Sequence, residues 1–190
     1  CLDDIDEKSN FIYIENKTTN NGAILIEGKV SLSARVGGII GYGYRLRVVA
    51  FGTITKEGEI KNNGPITISG EVGNVYAGGV LGHKDVGTFN MNCFVTNSKT
   101  ATISVSATSA ENCYIGGIIG YLTSSAAITR IQYRTVTNKA AITYSGTCGA
   151  SCCIGGFVGH IYGSYIYINY NGKFANEGKI VIGRLTIDYD

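Results

Sequence analysis

One block of sequence occurs four times at nearly constant intervals. Val36-Gly37-Gly38-Ile39-Ile40-Gly41-Tyr42 recurs as Ala77-Gly78-Gly79-Val80-Leu81-Gly82-His83, then as Ile115-Gly116-Gly117-Ile118-Ile119-Gly120-Tyr121, then as Ile154-Gly155-Gly156-Phe157-Val158-Gly159-His160. The first glycine of each pair lies at 37, 78, 116 and 155, so the intervals are 41, 38 and 39 residues. A period in this range marks an array in which each unit buries its apolar face only against its neighbours. Ahead of each copy runs a short alternating stretch, usually behind an Asn/Gly turn, as in Asn63-Gly64-Pro65-Ile66-Thr67-Ile68. A fifth such stretch begins at Asn176-Glu177-Gly178 without a following Gly-Gly block.

After each Gly-Gly block comes a further extended stretch, for example Arg45-Leu46-Arg47-Val48-Val49 or Tyr165-Ile166-Tyr167-Ile168. Phe11-Ile12-Tyr13-Ile14 reads as the same element of an incomplete leading repeat. These stretches alternate with period two and are rich in β-branched and aromatic residues, while helical periodicity is absent. The chain is therefore expected to be all-β, with three short strands per repeat. A β-propeller has blades of similar length, but its tight hairpins and Trp-Asp signatures are missing, and Trp is 0 of 190 residues. The expected fold is a short right-handed parallel β-solenoid of about four and a half repeats of roughly 40 residues. Residues 1–19 would form a tail and N-terminal cap, and 20–190 the repeat domain. Glycine, 27 residues in all, would serve close backbone approach and tight corners.

Charge excludes some functions. Sixteen Lys and Arg balance 14 Asp and Glu, which is a poor footing for nucleic acid, since that partner calls for a basic stripe. No run of 18 apolar residues spans a membrane. The Gly-rich blocks lack a following Lys-Ser/Thr and open no helix, so they do not cradle phosphate. Between residues 72 and 176 the only acids are Asp85 and Glu111, at unmatched repeat positions. A carboxylate pair for acid–base work is therefore not predicted, and neither is a Gly-x-Ser-x-Gly nucleophile turn.

The aromatic residue closing each block makes the first candidate site. In register, Tyr42, His83, Tyr121 and His160 form one column along a face, either a structural ladder or a platform for sugar or peptide stacking. Tyr162, Tyr165, Tyr167 and Tyr170 crowd the last full repeat, and Tyr165 and Tyr167 share a strand face. Cysteines stand at 1, 93, 113, 148, 152 and 153. Cys113 and Cys152 both precede a Gly-Gly pair by three positions, so they would stack about 4.8 Å apart, within disulfide range. A ladder of small buried thiols is the alternative, and Cys148 with Cys152 or Cys153 is a further pairing. No metal or cofactor is expected: the two histidines fall two coils apart, and adjacent Cys152 and Cys153 point opposite ways. Asn16-Lys17-Thr18 matches a glycosylation sequon, a match that chance explains.

The repeat resembles the GLUG-type motif family, on its four central blocks and on Asn92-Cys93, over about residues 20–187. That resemblance implies a β-helical module of bacterial surface proteins, without catalytic residues. The start Cys1-Leu2-Asp3-Asp4-Ile5-Asp6-Glu7 is similar to a processed Bacteroidota surface lipoprotein, lipid-modified at Cys1 and exported to face outside the outer membrane. Together the resemblances imply a non-catalytic accessory subunit beside a SusC/SusD-type pair, that is, a TonB-dependent transporter barrel and its binding lipoprotein. Such a subunit would take part in uptake of glycans or peptides. An adhesin or matrix-binding module is the alternative.

Overall fold

In the computed structural model the described residues are 11–14, 17–44, 47–51, 58–109, 111–123, 127–132, 134–169 and 171–183. They form strands and turns with no helix, and every strand pairing is parallel. The molecule is a β-solenoid. Cys1 and the acidic start, Asn16, Tyr170 and the acidic end at Asp188-Tyr189-Asp190 lie outside the described residues.

Each coil visits five sheets. Sheet I stacks Phe11–Ile14, Arg47–Phe51, Gly87–Asn92, Ala127–Gln132 and Tyr165–Asn169. Sheet II stacks Lys17–Asn20, Glu59–Asn62, Phe94–Asn97, Thr135–Asn138 and Lys173–Asn176. Sheet III stacks Ile24–Ile26, Ile66–Ile68, Ile103–Val105, Ile142–Tyr144 and Ile180–Ile182. Sheet IV is built on Lys29–Gly37 and Glu71–Gly78, followed by two split rungs, Thr108–Ser109 with Asn112–Gly116 and Thr147–Cys148 with Ser151–Gly155. Sheet V stacks Ile40–Gly43, Leu81–Lys84, Ile119–Thr123 and Val158–Tyr162.

Two expectations are corrected here. A coil has five strands rather than three, because the polar segments ending in asparagine form their own sheet II and the stretch ahead of each Gly-Gly pair forms sheet IV. The repeat count also differs slightly from four and a half, since rungs begin at Phe11 and the sheets differ in depth.

Two apolar columns fill the interior. One contains Ile60, Val80, Leu81, Met91, Val95, Ile118, Ile119 and Val136. The other contains Ile66, Ile68, Val72, Ile103, Cys113, Ile115, Ile142 and Tyr144. One position of the repeated block forms a row through the first, with Val80 and Ile118 buried and Ile39 and Phe157 packed against the same cluster.

An asparagine ladder runs between the columns. Asn20 Nδ2 donates to Asn62 Oδ1 at 2.8 Å, Asn62 to Asn97 at 3.0 Å, Asn97 to Asn138 at 3.0 Å and Asn138 to Asn176 at 2.8 Å. Asn62 also closes its own turn, donating to Gly64 O and accepting from Gly64 N, the Asx geometry that makes Asn-x-Gly a corner signal. The Gly-Gly pair answers to this ladder. A Cβ on Gly79 would strike the Asn97 amide, and one on Gly117 would strike Asn138. The third glycine of the block has a different reason: a Cβ on Gly120 would meet the backbone of Ala77. Sheets IV and V therefore touch backbone to backbone, leaving the outward side chains on either side of that bend to meet each other.

Candidate functional site

At the bend between sheets IV and V the predicted column is in register. His83 pairs with Tyr42 on one side and Tyr121 on the other, and Tyr121 pairs with His160. Ring centroids are 5.0 Å apart for Tyr42–His83, 4.9 Å for His83–Tyr121 and 5.5 Å for Tyr121–His160. The histidines are thus separated by a tyrosine ring, a poor arrangement for a shared metal ion. Among the described residues no group of His, Cys, Asp and Glu is arranged to hold one.

A second column interleaves with the first. Arg35, Tyr76, Tyr114 and Cys153 are register partners on sheet IV, two residues before each Gly-Gly pair. Tyr76 lies 5.1 Å from both His83 and Tyr121, and Tyr114 lies 4.9 Å from Tyr121 and 4.4 Å from His160. Arg35 caps the seam with its guanidinium 4.4 Å over the Tyr42 ring. This second column escaped the sequence reading, although tyrosine at the same offset in two repeats was its signal.

The zipped rings seal the histidine. His83 is 6% exposed, and neither ring nitrogen has a hydrogen-bond partner. Desolvation, helped by the nearby Arg35 charge, draws its pKa down to about 4, so it is neutral at physiological pH. Burial also raises the phenols of Tyr42, Tyr76 and Tyr114 above their ordinary value. The column is exposed chiefly at its first rung, where Tyr42 is 41% accessible beside the exposed Tyr44.

The other candidate tyrosines face solvent. Tyr162, Tyr165 and Tyr167 are 67%, 56% and 48% exposed, and the rings of Tyr165 and Tyr167 lie 6.2 Å apart with planes 30° from parallel. Alternation explains the pair, since Ile166 between them packs against the core. They sit at the end rung of sheet I, whereas Tyr42 sits at the first rung of sheet V, so the sequence-predicted face divides into two aromatic patches.

A shallow cleft of about 240 Å³ lies elsewhere, along sheet IV, lined by Lys29, Val30, Ser31, Glu71, Val72, Gly73 and Thr108. An exposed Lys29–Glu71 ion pair of 3.0 Å crosses it, and no ring of either patch reaches it. Cys113 and Cys152 are register partners as expected, and both are free thiols here, as are Cys93, Cys148 and Cys153. Compared with family models, curated proteins and solved structures, the chain matches none.

Proposed function

We propose that this chain is a non-catalytic binding solenoid of a bacterial outer surface, wound right-handed like other parallel β-coils and held to the membrane by lipid at Cys1. Its role is that of an accessory subunit beside a TonB-dependent transporter barrel and a binding lipoprotein of SusC/SusD type, contributing to capture of glycan or peptide. The observation that carries the binding reading is the contrast within the aromatic residues. His83 is sealed among rings without a hydrogen-bond partner, while Tyr162, Tyr165 and Tyr167 face solvent, the last two side by side on one strand. Tyrosine pairs on rigid elements give large contact area at small entropic cost. The membrane and transporter parts rest on the Cys1-acidic start and on the likeness of the repeat.

The test is affinity isolation of the native protein from outer membrane in mild detergent, with identification of what accompanies it. Stoichiometric recovery of a barrel and a second lipoprotein supports the uptake role. Recovery of the protein alone, as monomer or homopolymer, rejects it and favours the adhesin.

A further inference from the structure

Sheet IV carries an inward column that reads Ala34, Val75, Cys113, Cys152 from the first rung to the last. The first two are ordinary apolar fillers, and the last two place a pair of thiols on adjacent rungs of the same buried row. Rung spacing of about 4.8 Å lies inside the Cα range of a disulfide, while the matching Cβ separation in parallel strands exceeds the usual limit of about 4.5 Å by a few tenths of an ångström. Cys152 belongs to the outermost rung of sheet IV, with no strand of that sheet beyond it among the described residues. It is only partly buried, while Cys113 one rung below is fully buried.

Cys148, the third thiol nearby, has a different occupation. Its register partner is Ser109, whose hydroxyl donates to Gly73 O and Asn112 O. Cys148 Sγ makes the equivalent bonds one coil later, to Glu111 O and Ser151 O, each 3.1 Å. It is a buried donor standing in a serine's place, tied to two carbonyls. Cys113 and Cys152 have the opposite arrangement, since the positions stacked beneath them carry Val75 and Ala34, which make no such bonds.

We infer that Cys113 and Cys152 form a reversible thiol–disulfide site that staples the third coil to the fourth, with Cys152 as the attacking sulfur and Cys113 as the resolving one. A hydrogen bond from Cys113 draws Cys152 down to about 7, against burial that opposes it, while Cys113 is pushed well above the ordinary thiol range. The reaction partner is a small oxidised disulfide such as glutathione disulfide. The Cys152 thiolate attacks one of its sulfurs and expels a glutathione thiolate. That thiolate takes the proton of Cys113, whose sulfur then displaces the second glutathione from Cys152. Two protein thiols are oxidised and one external disulfide becomes two thiols. Closing the last few tenths of an ångström falls on the free-edged Cys152 rung, and the remaining strain makes the bond reducible by glutathione.

The experiment treats the purified full chain with glutathione disulfide, then measures intact mass and maps peptides without reduction. The expected result is loss of two hydrogen masses, a single link joining the Cys113 and Cys152 peptides, reversal by reduced glutathione, and melting raised by several degrees in the linked form. Cys148→Ser should form the same link, and Cys152→Ala, at the open edge, should fold with an unchanged circular dichroism spectrum and form none. A link through Cys148 or Cys153, a persistent glutathione adduct, or unchanged mass with all thiols still alkylable would overturn the assignment.

Discussion

His83 and Tyr121 stack with ring centroids 4.9 Å apart and planes 25° from parallel, one rung above the other. That contact joins a titratable ring to an aromatic seam offering no hydrogen bond to either nitrogen. Stacking and burial favour the neutral imidazole, and Arg35 disfavours the charged one.

Acid sensitivity follows. The folded pKa, about 4, lies below the ordinary 6.5, so between these values the unfolded chain binds the extra proton. Stability should fall as pH drops from 6.5 toward 4, by at most about 3 kcal/mol for a shift of this size. Urea unfolding at pH 7 and pH 4.5 measures the loss. In His83→Phe, which retains the ring stack, the portion due to this residue should vanish. Equal acid loss in both proteins would mean that His83 is not buried as described.

The asparagine ladder is a second point of leverage. Asn97 accepts from Asn62 and donates to Asn138, all three fully buried. Asn97→Ala removes one of the two bonds donated by the buried Asn62 amide and one of the two accepted by Asn138 Oδ1, at a total of about 1–3 kcal/mol. Asn20→Ala, at the exposed end of the ladder, should cost well under half as much. Denaturant midpoints of the two variants make the comparison, and similar losses would reject a ladder whose stakes rise with burial.

Glycine substitutions separate clash from flexibility. At Gly79 an added methyl meets the Asn97 amide and the carbonyl of Gly117, so Gly79→Ala should destabilise by about 3 kcal/mol or more. At Gly22 the nearest atom is the Asn20 side chain at 3.6 Å, ordinary contact, and Gly22→Ala should change stability by less than about 1 kcal/mol. Thermal melting distinguishes the two within one experiment.

Much of this architecture is legible in the sequence. The 41-, 38- and 39-residue intervals placed Tyr42, His83, Tyr121 and His160 in one column because identical blocks can stack only in register. What escaped notice lay in positions where the repeats differ. Arg35, Tyr76, Tyr114 and Cys153 share an offset, but only the middle two share a chemical type, so the second column carries a repeat signal in just two of its four rungs. Sheet II was missed because its strands, such as Thr135–Asn138, are short and polar and end in a turn residue. Burial of Asn62, Asn97 and Asn138 depends on the approach of the opposite Gly-Gly corner, a tertiary fact that no local pattern contains.

Binding should depend on the end-rung tyrosines. Tyr165→Ser with Tyr167→Ser removes two exposed rings while Ile166 keeps its place against the core. Melting should move by no more than a few degrees, whereas retention on the native partner or glycan should fall at least tenfold, as for loss of paired aromatic anchors. Unchanged retention would move attention to Tyr42 and Tyr44.

Lys84 gives the last prediction, because it occupies a core position. Its register partner in the next coil is Leu122, yet Lys84 itself is 2% exposed, with Nζ donating to Val86 O at 2.9 Å. Burial lowers its pKa to about 8, against the opposing influence of Asp85. Because the folded value lies below the ordinary 10.5, the unfolded chain holds more protons between pH 8 and 10.5, and stability should rise with pH across that window. Below pH 8 the protein carries the full cost of a charged, largely buried amine. Lys84→Met keeps the length and apolar stem of the side chain while removing that cost, so it should stabilise the fold at pH 7 by about 1–3 kcal/mol. The advantage over the parent should shrink between pH 8 and 10.5, a difference that isolates Lys84 from the tyrosines and cysteines titrating in the same range. A Lys84→Met variant less stable than the parent at pH 7 would show that the ammonium's bonds outweigh its burial.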